Sequence, residues 1–213
     1  MSKYVMWYLG VVLFLGQASP SYADDDCLII PGKQVGNIKL GESLISVRDH
    51  IGKNNMLVEE IPLDEDKHLK HVTIYPEDEE KQLVLQLDEN ERVEAIIIDR
   101  VTEDEVPCYH NKEGIVIGLT LHDIEKMNGK PFKLTGFDWD FQGTVSSWEN
   151  GNLENIMRGL AVRLHPDADD KYNEIIGEEI FMSSHPEMQQ VNPTVSHIEV
   201  YKYKAKKQTQ LSN

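Results

Sequence analysis

The chain has 213 residues, with 37 acids against 21 lysines and arginines and a formal net charge of −16 at pH 7. An excess of that sign and size repels phosphate backbones and anionic lipid. It excludes nucleic acid as a partner and argues against a membrane-surface role.

From the start, Lys3 precedes an apolar run from Val5 to Gly16, and Gln17 to Ala23 supplies the small residues a signal peptidase reads. Residues 1–23 therefore read as a secretory signal peptide cleaved before Asp24. The run is well short of the roughly 20 residues a spanning helix needs, so no transmembrane anchor is expected in the mature chain. Asp24, Asp25 and Asp26 before Cys27 argue against lipidation. The expected compartment is the periplasm or the exterior. Removing the signal takes away one lysine and no acid, which moves the charge to −17. The remaining length suits one large domain or two small ones. Cys27 and Cys108 remain, and an even count in an exported chain suggests a disulfide. It would close a loop of about 80 residues, worth roughly 4 to 5 kcal/mol in the chain-entropy model. The alternative, a reactive thiol or a metal ligand with His110, lacks further ligands at any usual spacing.

After an extended lead carrying Leu28, Ile29 and Ile30, residues 38–53 and 115–130 match without a gap at an offset of 77. Each copy runs Ile-x-(Leu/Ile)-Gly, then a hydroxyl residue, a Leu, a (Val/Ile) three residues on, and a closing Gly-Lys. Fixed-period self-similarity outranks other sequence signals for fold. Ser43 caps a short helix with Leu44, Val47 and Ile51 on one face, and Gly52 ends it in a left-handed turn. Thr120, with Asp123 at capping-box spacing, opens a second helix that presents Leu121, Ile124 and Met127 and stops at Gly129 and Pro131. Helices of about two turns are marginal alone and must pack on something.

Strands follow each helix. Val72 to Ile74 alternates, Leu83, Leu85 and Leu87 share a face, and Val93 to Ile98 returns after Asp88 to Glu91, a β-hairpin preceded by another strand. The acidic stretch Glu59, Glu60 and Asp64 to Asp66, with Glu77 to Glu80 later, reads as solvated loops. No calcium-loop spacing is present, and His68 with His71 reads as a surface pair. Beyond the second helix, Phe137 to Phe141 alternates strictly, which puts three aromatics on one strand face and Asp138 and Asp140 on the other. Thr144 to Trp148 continues as a strand, Asn150-Gly151 signals a hairpin, and Leu160, Val162 and Leu164 form the next strand. Residues 165–192 read as one long connection with a helical turn near Glu174 to Ile180, a length that often carries function. Val195 to Tyr203 closes the sheet. Lys202, Lys204, Lys206 and Lys207 lead into a basic, solvated tail.

The expected fold is α+β, in two related halves, 24–106 and 107–203, each a short helix packed on an antiparallel sheet, with the tail at 204–213. On Ile38 to Leu44 with Val47 and Gly52, and on Ile115 to Leu121 with Ile124 and Gly129 to Pro131, the chain resembles exported bacterial proteins built as tandem helix-plus-sheet repeats. That class includes the β-lactamase inhibitor protein and the small outer-membrane assembly lipoproteins. The stretch from Asn128 through Trp139 to Trp148 also resembles exported proteins of no known activity. That similarity implies fold and compartment and no partner; in the inhibitor protein the sheet offers a concave, aromatic-rich face to an enzyme. This chain departs from it in residues 165–192 and in its longer aromatic stretch, so no inhibitory residue is carried over.

Neither a Gly-x-Ser-x-Gly elbow, a phosphate-cradling glycine loop nor a His-Glu-x-x-His helix occurs. The residues singled out for binding are Asp138, Trp139, Asp140, Trp148 and Arg163. Aromatic side chains dominate binding hot spots, although alternating aromatics over a helix also build cores. Arg163 should face the same side as the two aspartates and pair with one of them, first as a structural ion pair. The functional expectation is a non-catalytic binding module that acts on another envelope or extracellular protein, with no cofactor and no metal. An envelope assembly accessory is the alternative. A hydrolase using Asp138 or Asp140 with His165 or His185 is the third reading.

Overall fold

The computed structural model describes residues 26–64, 67–100, 106–168 and 170–204, and leaves the side chains of 63–69 undescribed. The expected signal peptide, the tail beyond Lys204 and the His68 side chain lie outside the described residues. The fold is mixed, with three short helices and thirteen strands among the described residues. None of these helices is long and apolar enough to cross a membrane.

Strand β1 (Leu28–Ile30) pairs with β2 (Gln34–Val35), which pairs with β3 (Ile38–Lys39). Helix α1 (Leu44–Ile51) starts at Ser43, whose hydroxyl accepts from the Ser46 amide, and buries Val47 and Ile51. Gly52 has positive φ but extended ψ, because the chain runs on into a 3₁₀ turn at Lys53–Asn55 instead of reversing. Helix α2 (Leu121–Asn128) carries the full capping box between Thr120 and Asp123 and ends at Gly129 in the left-handed region. Both leads dock onto a strand in the same way. Gly41 N–H donates to Val93 O, Val93 N–H to Glu42 O, and Leu44 N–H to Glu91 O. In the second lead, Gly118 N–H donates to Val195 O, Val195 N–H to Leu119 O, and Leu121 N–H to Pro193 O.

The largest sheet has six strands. In spatial order they are β11 (Leu160–His165), β13 (Thr194–Tyr201), β7 (Val93–Asp99), β6 (Leu83–Leu87), β5 (Lys67–Ile74) and β4 (Met56–Asp64), all antiparallel neighbours. A smaller sheet sets β9 (Lys133–Thr135) between β10 (Val145–Ser147) and β12 (Ile180–Met182), and β8 (His110–Asn111) joins β1 in parallel. One face of the six-stranded sheet supplies Val72, Ile74, Leu83, Leu85, Ile96, Ile98, Val162, Ile198 and Val200 to a single core shared with Val47, Leu121 and Ile124. That burial is what holds helices too short to stand alone. Cys27 and Cys108 are disulfide-bonded with Cα atoms 5.6 Å apart, joining segments 81 residues apart.

Several local expectations are corrected. The acidic stretch at 59–64 is strand, not loop: it lies at a sheet edge, where a strand carries acids at little cost. Phe137 to Phe141 is a loop and not a strand. Gly143 N–H donates to Gly136 O and closes it, and Asp138 sits at φ +65. Asn150-Gly151 does not link neighbouring strands, since β10 pairs with β9 and β11 with β13. The tight turn it marks is centred on Glu149 and Asn150, both at positive φ, and buried Asn128 captures it. The Asn128 amide donates to Trp148 O and Lys130 O, and its oxygen accepts from Leu153 N–H. Residues 165–192 are not one bare connection. They contain β12 and helix α3 (Pro186–Val191), and no helix forms near 174–180. Strand β13 does not close the sheet at an edge but lies inside it, between β11 and β7.

Candidate functional site

Directly opposed residues of an antiparallel sheet share a face, so the register defines the side turned away from the core. One row crosses all six strands: Leu57, Thr73, Val84, Ile97, Glu199 and Ala161. Next to it lie Asp99, His197 and Arg163, again directly opposed. Val84, Ile97 and Ala161 are half-buried and stand outside the core cluster. This face is apolar over Leu57, Val84 and Ile97, with Glu199 set between Ile97 and Ala161 and the charged row alongside.

His197 organises the charged border. Its Nδ1 lies 2.6 Å from Asp99 Oδ1, and its Nε2 lies 4.0 Å from Glu199 Oε2, an ion-pair distance and not a hydrogen bond. Burial pushes the imidazole down, but the Asp99 hydrogen bond and the Glu199 carboxylate outweigh it, so the His197 pKa is raised overall. Glu199 is held below the usual carboxylate range, first by His197. Nε2 is buried and makes no hydrogen bond, so no substrate atom reaches it as the structure stands.

At one margin the loop 136–143 overhangs the sheet. Thr135 and Thr144 both donate their hydroxyls to Phe141 O at 2.8 Å, and the Trp139 indole donates to Gly136 O at 3.0 Å. Gly143 is required where the loop returns: its φ is +62, and a Cβ there would stand 1.9 Å from Leu164 O. The loop therefore fixes the Phe141 backbone while leaving the residue 56% exposed. Phe141 packs edge-on to Trp139 at 5.6 Å and lies 5.5 Å from the Arg163 guanidinium. An exposed aromatic over an arginine suits binding.

The expected site residues separate. Trp139 and Arg163 are brought together, with Phe141 between them. Arg163 makes no ion pair with Asp138 or Asp140; it lies under Phe141 and opposite His197. Asp138 Oδ1 accepts from the Tyr172 hydroxyl at 2.9 Å, and burial followed by that bond pushes the phenol up to about 12. Asp140 is exposed. Trp148 is buried against Phe132, with centroids 5.4 Å apart, and is core. His165 Nδ1 lies against Pro166 O, and His185 caps α3. Among the described residues no group of three or more His, Cys, Asp or Glu could hold a metal ion. Asp99, His197 and Glu199 were missed because 98 residues separate the first two. The signal was the alternation His197-Ile198-Glu199, which puts both side chains on one strand face. No family model, no curated protein and no solved structure matches the chain.

Proposed function

We propose that the chain is an exported, non-catalytic protein-binding module built from two related halves, and that it receives a folded partner on the outer face of its six-stranded sheet. The observation that carries this reading is the exposed Phe141 ring over Arg163, bordering an apolar strip outside the core. The partner is a protein with a basic rim around an apolar centre, complementary to a chain of net charge −16. The disulfide suits an oxidising compartment.

Register supports the two halves. The docking bonds of the two leads correspond at an offset of 77 in the lead and 102 in the strand they meet. Leu85 opposes Ile96 as Val162 opposes Ile198, which repeats both offsets. Ile96 opposes Val200 and Ile98 opposes Ile198, so β7 and β13 pair symmetrically about Ile97 and Glu199.

The test is affinity capture from envelope extract with the mature protein and its Phe141→Asp and Arg163→Ala variants. A species retained in proportion to bait, weakened by salt and lost with Phe141→Asp is expected. Identical capture by all three baits sinks the outer face as the docking site. Hydrolysis of a glycan or ester that vanished in Asp138→Asn would replace the reading with an enzyme.

A further inference from the structure

Strand β4 ends the order of the large sheet, so among the described residues one side of its backbone has no neighbouring strand. The first half of β4 also breaks the rule by which proteins guard such edges. Glu59, Glu60 and Pro62 protect the far half, since charge and a missing donor discourage pairing. Met56, Leu57 and Val58 carry no such guard. Four of the nine exposed large hydrophobics in the described residues lie on β4 and α1: Ile45 and Val58 on the helix side, Leu57 and Ile61 on the outer face of the strand. Met56 opposes Ile74 and Val58 opposes Val72, both core residues, so Met56 and Val58 point to the helix side of the sheet at its rim. Between them and α1 runs a cleft of about 310 Å³, lined by Leu44, Ile45, Arg48, Lys53, Met56 and Val58, with Glu91 at its side. An open strand edge with a helix alongside and an apolar cleft between them is what strand addition needs. The backbone edge gives register, and the cleft takes alternate side chains.

We propose that β4 and α1 form a peptide-binding groove that takes an extended segment of a partner protein as a seventh strand, antiparallel to β4. Charge sets its chemistry. Glu91 is ion-paired with Lys70, which leaves Arg48 and Lys53 as the cations at the Met56 end, while Glu60, opposed by Lys70 on β5, stands at the other. The segment is therefore basic at its start, opposite Glu60, apolar where it faces Val58 and Met56, and acidic at its end, near Lys53. Antiparallel β4 on β4 about Leu57 would set Glu59 and Glu60 of each copy beside Asn55 and Asn54 of the other, so a second copy is the competing occupant and the titration separates the two. The groove lies on the helix side and the Phe141 face on the other, so this inference stands apart from the outer-face reading.

The probe is a fluorescent, end-blocked hexapeptide, Lys-Thr-Val-Thr-Leu-Asp, titrated into the full mature chain by anisotropy, with amide exchange on the complex. Saturable binding is expected, at least fivefold weaker for the charge-reversed Asp-Thr-Val-Thr-Leu-Lys and at least tenfold weaker for Ile45→Asp. Ile45 is 59% exposed, so that variant keeps its fold; Val58→Asp is the second check, and Phe141→Ala should bind as the parent does. Alternate amides of β4 should exchange more slowly in the complex. Absence of saturable binding for both peptides overturns the groove, as does binding that ignores Ile45→Asp. A concentration-dependent dimer abolished by Val58→Asp would give the edge to a second copy instead.

Discussion

Strand β4 follows α1 and strand β9 follows α2, yet the two meet opposite fates. β9 is paired on both sides, by β10 and by β12, and its Leu134 is fully buried. β4 is paired on one side and leaves Leu57 and Val58 more than two-fifths exposed. The difference comes from residues 165–192. That segment folds back, lays β12 on β9, and is locked by the Phe132 amide donating to Ser183 Oγ and by Gln189 bonding Glu125. Among the described residues no such segment covers β4. An unpaired edge is an aggregation liability unless it is guarded or used, so the strand after α2 has its edges covered and the strand after α1 leaves one partly available.

The sharpest way to break that contrast is truncation on each strand. Leu134→Ala should cost about 2 to 5 kcal/mol, the range for emptying a tightly packed aliphatic site, while Val58→Ala should cost roughly 0.5 kcal/mol or less, as for exposed positions. Urea midpoints at constant slope measure both. Equal losses would mean that β4 is packed in solution and has no free edge. Reducing the Cys27–Cys108 bond, which joins the segments before the two helices, should lower stability by about 4 to 5 kcal/mol in the chain-entropy model. If the fold is one cooperative unit, the transition stays single. Two transitions would show that the crosslink couples parts that otherwise unfold separately.

The covered and uncovered edges were unequally legible in sequence. Caps, helix faces and the β6–β7 hairpin could be read because each is specified by neighbours within a few residues: Ser43 with Ser46, Thr120 with Asp123, and Asp88 accepting from the Asn90 and Arg92 amides. What failed depended on distant partners. Phe137 looks like a strand residue by alternation, but its amide bonds Ile175 and its carbonyl accepts from Gly177, so the chain turns out of the sheet there. Strand β4 looks like loop because its acids face water at an edge, and edges are properties of topology. The outer-face cluster needed the register of β7 on β13 before Asp99 and His197 could meet. Trp148 failed for the opposite reason. Its aromaticity marked it, and only its packing on Phe132 shows that it is filling.

A smaller difference separates the two helices. At α2 the Thr120 hydroxyl accepts from the Asp123 amide, and the Asp123 carboxylate accepts from the Thr120 hydroxyl and then the Thr120 amide, which holds that carboxyl below the usual range. At α1 the Ser43 hydroxyl accepts from the Ser46 amide without the reciprocal bond. Thr120→Ala should therefore cost about 1 kcal/mol or somewhat more, and Ser43→Ala a few tenths less, both within the measured span for cap removal. Hydrogen exchange at the first-turn amides resolves the two. A larger loss at Ser43 would show that α1, beside the open edge, is the more strained helix.

The smallest effect lies at the seam where β7 pairs with β13. The His197 pKa is raised in the folded state, so its stabilising contribution is fully present below its unfolded value of about 6.5 and is lost as pH rises through the folded value. Glu199 acts in the other direction: its pKa is lowered, so its contribution is present above the unfolded value and is lost as pH falls through the folded one. Between these limits both ionic forms coexist, and the β7–β13 seam should be tightest in mildly acidic solution. The His197→Gln variant isolates the imidazole, since glutamine keeps a donor toward Asp99 without a proton to lose. The gap in melting temperature between parent and variant should shrink as pH rises from 6 to 8, while the gap for Val58→Ala stays level. A His197 ring that titrates below 6.5 by NMR would reverse the sign. Burial would then outweigh the two carboxylates, and the outer face would present a neutral imidazole beside Arg163 at neutral pH.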